Sequence, residues 1–120
     1  MILCEPGDIV LLRFPFTDLV STKRRPVVVV SPPGFAARFG DVVVIALTSQ
    51  DQGADGLLLT DWKLAGLPKQ TWVKPLVATV ASALIEKRLG SLVAADEDCL
   101  REAVVRAIHA RFRQPPESAI

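Results

Sequence analysis

The sequence predicts a mainly β chain with one late helix: about five short strands forming a small curved sheet, followed by a C-terminal amphipathic helix. Three observations predict it. Short apolar, β-rich runs separated by proline- and glycine-containing loops fill the first eighty residues. From Leu100 onward apolar residues recur at three- and four-residue steps. The chain is 120 residues long and half hydrophobic, enough for one core without staples, so residues 1–120 are expected to form a single domain.

The elements follow in order. Ile9 to Phe14 is a strand, with Phe14-Pro15-Phe16-Thr17-Asp18 leading into a turn. Val27 to Ser31 is a nearly continuous apolar run, as expected of a strand buried on both faces. Pro32 to Gly40 reads as a loop punctuated by proline and glycine. Asp41 to Leu47, Leu57 to Thr60 and Trp72 to Val80 supply three more strands, with Asp61 to Gly66 as a short turn or single helical turn. Leu57-Leu58-Leu59 is expected at a sheet edge, where a partner could cover it. Leu84 to Leu92 reads as the connection into the last helix, with Gly90 permitting a tight turn.

In that helix Leu100, Ala103, Val104, Ala107, Ile108 and Phe112 form one stripe. Asp96, Glu97 and Asp98 lie in its first turn and Arg106, Arg111 and Arg113 toward its end, complementing the macrodipole. Pro115-Pro116 stops it. Five short strands and one amphipathic helix need each other to close a core, so a small SH3-like barrel with a C-terminal helix is the preferred architecture.

Composition removes several function classes. A net charge of +1 argues against a broadly basic nucleic-acid coat but permits a local patch. Cys4 and Cys99 make no disulfide framework, and the first residues lack a charged segment leading into a long apolar one, so a cytoplasmic protein with reduced thiols is expected. No apolar run reaches the roughly 20 residues of a membrane-spanning helix. His109 is the single histidine, beside the apolar stripe, which removes a paired-histidine ribonuclease mechanism. Gly53 and Gly56 flank a turn without the Gly-Lys-Ser/Thr ending of a phosphate-cradling loop. No Cys, His, Asp and Glu cluster has metal-ligand spacing, and neither metal nor cofactor is expected.

Two short segments carry chemistry. Lys23-Arg24-Arg25-Pro26 places three adjacent cations in a turn between two apolar strands. Pro26 fixes its own φ and pushes Arg25 toward extended backbone, so Arg25 is expected at the rim where loop becomes strand. A guanidinium there can grip phosphate bidentately, although charge clusters in turns are commonly only solvated. Thr48-Ser49-Gln50 ends an apolar strand, so its hydroxyls should emerge at the same rim. On spacing alone they can equally serve as turn residues that satisfy the local backbone.

Pro15-Phe16-Thr17-Asp18, Arg24-Arg25-Pro26 and Thr48-Ser49-Gln50, within residues 5 to 112, resemble the MazF/PemK family of toxin endoribonucleases. The resemblance implies a MazF/CcdB-type barrel and a sequence-specific, metal-independent toxin that cleaves single-stranded mRNA by attack of the 2′-hydroxyl, leaving a cyclic phosphate and a 5′-hydroxyl. It implies that Arg25 stabilises charge at the scissile phosphate, with Thr48 beside it and Ser49 in reserve, and that Lys23, Arg24, Gln50 and Lys74 bind RNA. It also implies a twofold homodimer and a cognate antitoxin whose tail enters the RNA groove. The sequence departs from the family at Lys74-Pro75-Leu76-Val77-Ala78-Thr79, which lacks the carboxylate often found there. Trp62 and Trp72 could stack on bases, but tryptophans at strands and turns are more often core anchors. The competing readings are a non-catalytic SH3-like interaction module and a CcdB-like topoisomerase poison.

Overall fold

Alternation with a period of two sends β-branched side chains to both faces of the strands, and both faces are buried. The computed structural model describes residues 4–13 and 23–108. The segment Phe14 to Asp18, His109, Arg111, Phe112, Arg113 and Pro115-Pro116 lie outside the described residues. β1 (Asp8–Arg13), β2 (Arg24–Val29), β3 (Asp41–Thr48), β4 (Leu57–Leu58), β5 (Trp72–Ala81) and β6 (Ile85–Ser91) form one sheet in the order β4-β5-β3-β2-β1-β6, with every pairing antiparallel. One face carries Val10, Leu12, Val27, Val29, Val42, Val44 and Val80. The other carries Ile9, Val28, Ile45, Leu47 and Val73, and against it pack Leu59, Leu67 and Ala103. Val27, Val28 and Val29 are all fully buried, as the continuous apolar run predicts.

The ladder does not close into a complete barrel, yet its two edges meet through the chain. The turn after β4 lies so close to β6 that a Cβ on Gly90 would stand 1.9 Å from the carbonyl oxygen of Ala65. Gly90 is therefore a strand residue required by backbone contact, which corrects its assignment to a tight turn. The segment Leu84 to Leu92, expected as a connection, is largely the sixth strand. Glu86, Lys87 and Arg88 are exposed on it, and a charged edge strand lacks the apolar alternation that reveals inner strands.

Two other corrections are local. Within the predicted loop Pro32 to Gly40, Phe35–Phe39 forms a short helix (α1) bounded by Gly34 and Gly40, both left-handed with φ of 78° and 72°. Asp96 precedes the last helix (α2, Glu97–Ile108) in a single 3-10 turn. Its carboxylate, fully buried, accepts the backbone N–H groups of Thr60 at 2.8 Å and Asp61 at 3.0 Å. Burying that charge is tolerable because both donors reach it, and the contact ties the segment after β4 to the start of α2. On α2, Arg101 pairs with Glu97 and Arg106 with Glu102, each at one-turn spacing. No helix among the described residues is long and apolar enough to cross a membrane.

Candidate functional site

Pro26 opens the site. The N–H of Val30 donates to the carbonyl of Val43 at 2.9 Å, and Val28 pairs with Ile45. Even-numbered residues of β2 therefore point their amides at β3, and Pro26 is the next of them. It has no N–H, and the β2–β3 ladder ends at Val27 opposite Ala46. Continued without bonds, the same register brings Arg25 opposite Thr48. On the far side of β3 the register shifts between Ile45 and Leu47, leaving Lys74, Pro75 and Leu76 of β5 in a bulge. A missing donor on β2 thus accompanies the end of its pairing with β3, while β3 and β5, bulged between Val73 and Val77, stay paired as far as Thr48 and Trp72.

The resulting groove, of about 490 Å3, is lined by Arg24, Arg25, Pro26 and Ala46 to Gln50 on one side, and by Leu67, Pro68, Lys69, Thr71, Lys74 and Leu76 on the other. Of the sequence-predicted residues it gathers Arg24, Arg25, Thr48, Ser49, Gln50 and Lys74. Lys23 is exposed and does not line it. The three cations expected in a turn separate accordingly, since Arg24 and Arg25 belong to β2 itself. Trp62 and Trp72 are half-buried and also stay outside; Trp62 packs in the α2-side core with the Lys63 ammonium 5.5 Å over its ring. Trp62 is thus a packing residue.

Among the described residues four cations line the groove and no acid does. Arg25 and Lys74 are half-buried, and among the described residues neither has an ion-pair partner. Arg24 differs, for its Nε lies 2.9 Å from Oε2 of Glu86 on β6. The hydroxyl oxygen of Thr48 accepts the N–H of Gln50 at 3.1 Å, so Thr48 does close the turn, as the simpler reading had it. A hydroxyl holds two lone pairs and one proton, so its O–H remains available to an anion in the groove.

Lys69, Thr71 and Glu86 were not found from the sequence. Lys69 follows Pro68 in a segment without regular structure, held in place by the Asp96 bonds, the Gly90 contact, the burial of Leu67 and the bond from the Leu59 N–H to the Thr71 carbonyl. Among the described residues no group of three or more His, Cys, Asp or Glu side chains could hold a metal ion. The cysteines lie elsewhere. Burial, reinforced by Asp8, raises the Cys4 thiol above its ordinary value, and burial with Asp96 and Glu102 nearby raises Cys99. A second concavity, about 1010 Å3, lies between the sheet and α2 and is lined mainly by Val30, Val43, Val77, Leu100, Val104 and Ile108. Its one cation, Arg101, is already paired with Glu97. Of these two, the first groove presents positive charge, at Arg25 and Lys74 without an ion-pair partner among the described residues, together with hydroxyls, a combination suited to a phosphodiester.

Solved structures with the same fold include toxin MazF-mt6 of Mycobacterium tuberculosis, 20% identical over 88% of this chain and 99% of that one, with a TM-score of 0.70. An endoribonuclease in complex with its cognate antitoxin, from a mycobacterial species, is 18% identical over 91% and 98% of the two chains, with a TM-score of 0.69. MazF of Deinococcus radiodurans is 22% identical over 89% and 94%, with a TM-score of 0.70. No curated protein matches the chain in sequence. The profile of the PemK-like, MazF-like toxins of type II toxin–antitoxin systems matches residues 5–112, and the chain belongs to that family.

Proposed function

We propose that the protein is a sequence-specific endoribonuclease toxin that cleaves single-stranded RNA at the groove between β2, β3 and β5. One observation carries this reading: Arg25 and Thr48 line one groove just beyond the last β2–β3 pair, together with three further cations and, among the described residues, no carboxylate. In the proposed reaction the RNA 2′-hydroxyl oxygen attacks the adjacent phosphorus, losing its proton to solvent. The bond from phosphorus to the 5′-oxygen breaks, and that oxygen leaves with the electron pair and takes up a proton. The products are a cyclic 2′,3′-phosphate and a 5′-hydroxyl.

Each groove residue has a part in that reaction. Arg25 stabilises negative charge building on the non-bridging oxygens and, as a permanent cation, acts electrostatically rather than as a base. Thr48, its oxygen fixed by Gln50, donates to one of those oxygens, and Ser49 stands next to it. Arg24, Lys69 and Lys74 hold flanking phosphates, and Gln50 is exposed at the rim where a base edge can be read. The proposed reaction uses the RNA's own 2′-hydroxyl as nucleophile and draws charge stabilisation from Arg25, so it is proposed to run without a metal. A twofold homodimer extends the groove, and a cognate antitoxin occupies it, as family membership and the antitoxin complex of the mycobacterial relative support. The setting is the cytoplasm, where both thiols stay reduced.

The test is incubation of the purified protein with a sequence-diverse single-stranded RNA pool in excess EDTA. Sequencing of the new 5′ ends should show cleavage at a short recurring sequence. Arg25→Ala should lower the rate about 100-fold or more, as loss of a transition-state donor does, while its circular dichroism and melting stay those of the wild type. Absence of cleavage by well-folded protein would favour the non-catalytic interaction module instead.

A further inference from the structure

Arg24 and Arg13 are directly paired across β1 and β2, an arrangement in which two like charges repel. Glu86 on β6 lies against both: its Oε2 is 2.9 Å from Nε of Arg24 and its Oε1 3.7 Å from Nε of Arg13. Of this trio only Arg24 lines the groove. The carboxylate meets Arg24 at the nitrogen nearest the stem, so the terminal Nη groups stay available to a second anion. We propose that Glu86 is a positioning residue for RNA: it holds the Arg24 guanidinium at the groove mouth, so that its outer edge grips a phosphate.

This proposal rests on the nuclease reading and sharpens it. An ion pair between side chains as exposed as these contributes little to stability, so its consequence lies in where it puts one guanidinium. Field and position also predict opposite signs. Removing a negative charge beside a cationic groove strengthens RNA binding if only the field matters. It weakens binding if Glu86 orients Arg24.

The experiment is a double-mutant cycle on Glu86→Gln and Arg24→Ala, read by anisotropy with a fluorescent single-stranded RNA carrying 2′-O-methyl groups, which cannot undergo 2′-hydroxyl attack. Cleavage of unmodified RNA is measured in parallel, and circular dichroism checks the fold. Glu86→Gln should weaken binding about 5- to 10-fold in the wild-type background and less than 2-fold in Arg24→Ala, an outcome that a double-mutant cycle isolates. Glu86→Asp should restore part of the loss, and KM should rise more than kcat falls. Unchanged or tighter binding by Glu86→Gln, or an equal loss in both backgrounds, overturns the proposal and leaves the nuclease reading intact. Failure of the folded wild type to bind or cleave RNA overturns both.

Discussion

Two adjacent arginines on one strand meet different surroundings because strand alternation points them to opposite faces. Arg25 points to the face of Val27 and Val29, where it has no ion-pair partner among the described residues, while Arg24 meets Glu86. That Arg25 would stand in extended backbone was readable from Pro26 alone. That Thr48 would line the same groove was not, because this depends on the register of β3, which no local feature encodes. Glu86 was invisible for the same reason: 62 residues after Arg24, it arrives only through pairing of β6 with β1. The cysteines carry a residue-scale prediction. Both thiols are raised by burial, so the folded chain keeps protons that the unfolded chain releases near the ordinary thiol value of 9.0. The unfolded state then binds fewer protons, and stability falls as pH rises above that value while showing no thiol dependence below it. Urea unfolding at pH 7.5 and pH 10, on the wild type and on Cys99→Ser, checks this: the variant should lose less stability between the two.

At the scale of elements, pattern succeeded where burial was two-sided or strongly one-sided. The valine-rich β2 and β3 and the apolar stripe of α2 could be read directly. It failed at β6, whose edge position calls for Glu86, Lys87 and Arg88 in place of an alternating apolar face, and at α1, whose five residues are too few to show helical periodicity. The two misreadings differ in consequence. α1 is remote from the groove, whereas β6 holds both Glu86 and the backbone surface at Gly90 on which the turn after β4 rests. Gly90→Ala should therefore destabilise the protein by about 1–3 kcal/mol or more, because the new methyl meets backbone that cannot rotate away. A lower urea midpoint with unchanged slope would show it. RNA affinity should fall as well, since Leu67, Pro68 and Lys69 continue from the displaced turn.

On the scale of the whole molecule, a net charge of +1 conceals a strong local field. Glu86, Asp8, Glu97 and Glu102 pair with arginines, while four cations converge on one groove without a carboxylate among its described lining residues. Total charge argues against a general nucleic-acid coat, but it is the fold that brings Lys69 and Lys74 to Arg24 and Arg25 from separate segments. If all four contact phosphates, the logarithm of RNA affinity should fall with the logarithm of salt at a slope of about −3 per groove, from roughly −0.7 per phosphate for single strands. Anisotropy titrations between 50 and 300 mM salt measure it. Lys74→Ala should make the slope shallower by about 0.7 and weaken binding similarly for all sequences, as a backbone contact does.

The break that Pro26 makes in the β2–β3 ladder has one more consequence. An aperture that arises because an imino acid carries no hydrogen is set by covalent structure, so it stands open before anything arrives. An incoming strand need not unzip the sheet to enter, and its encounter is spared the slow step of prising apart paired backbone.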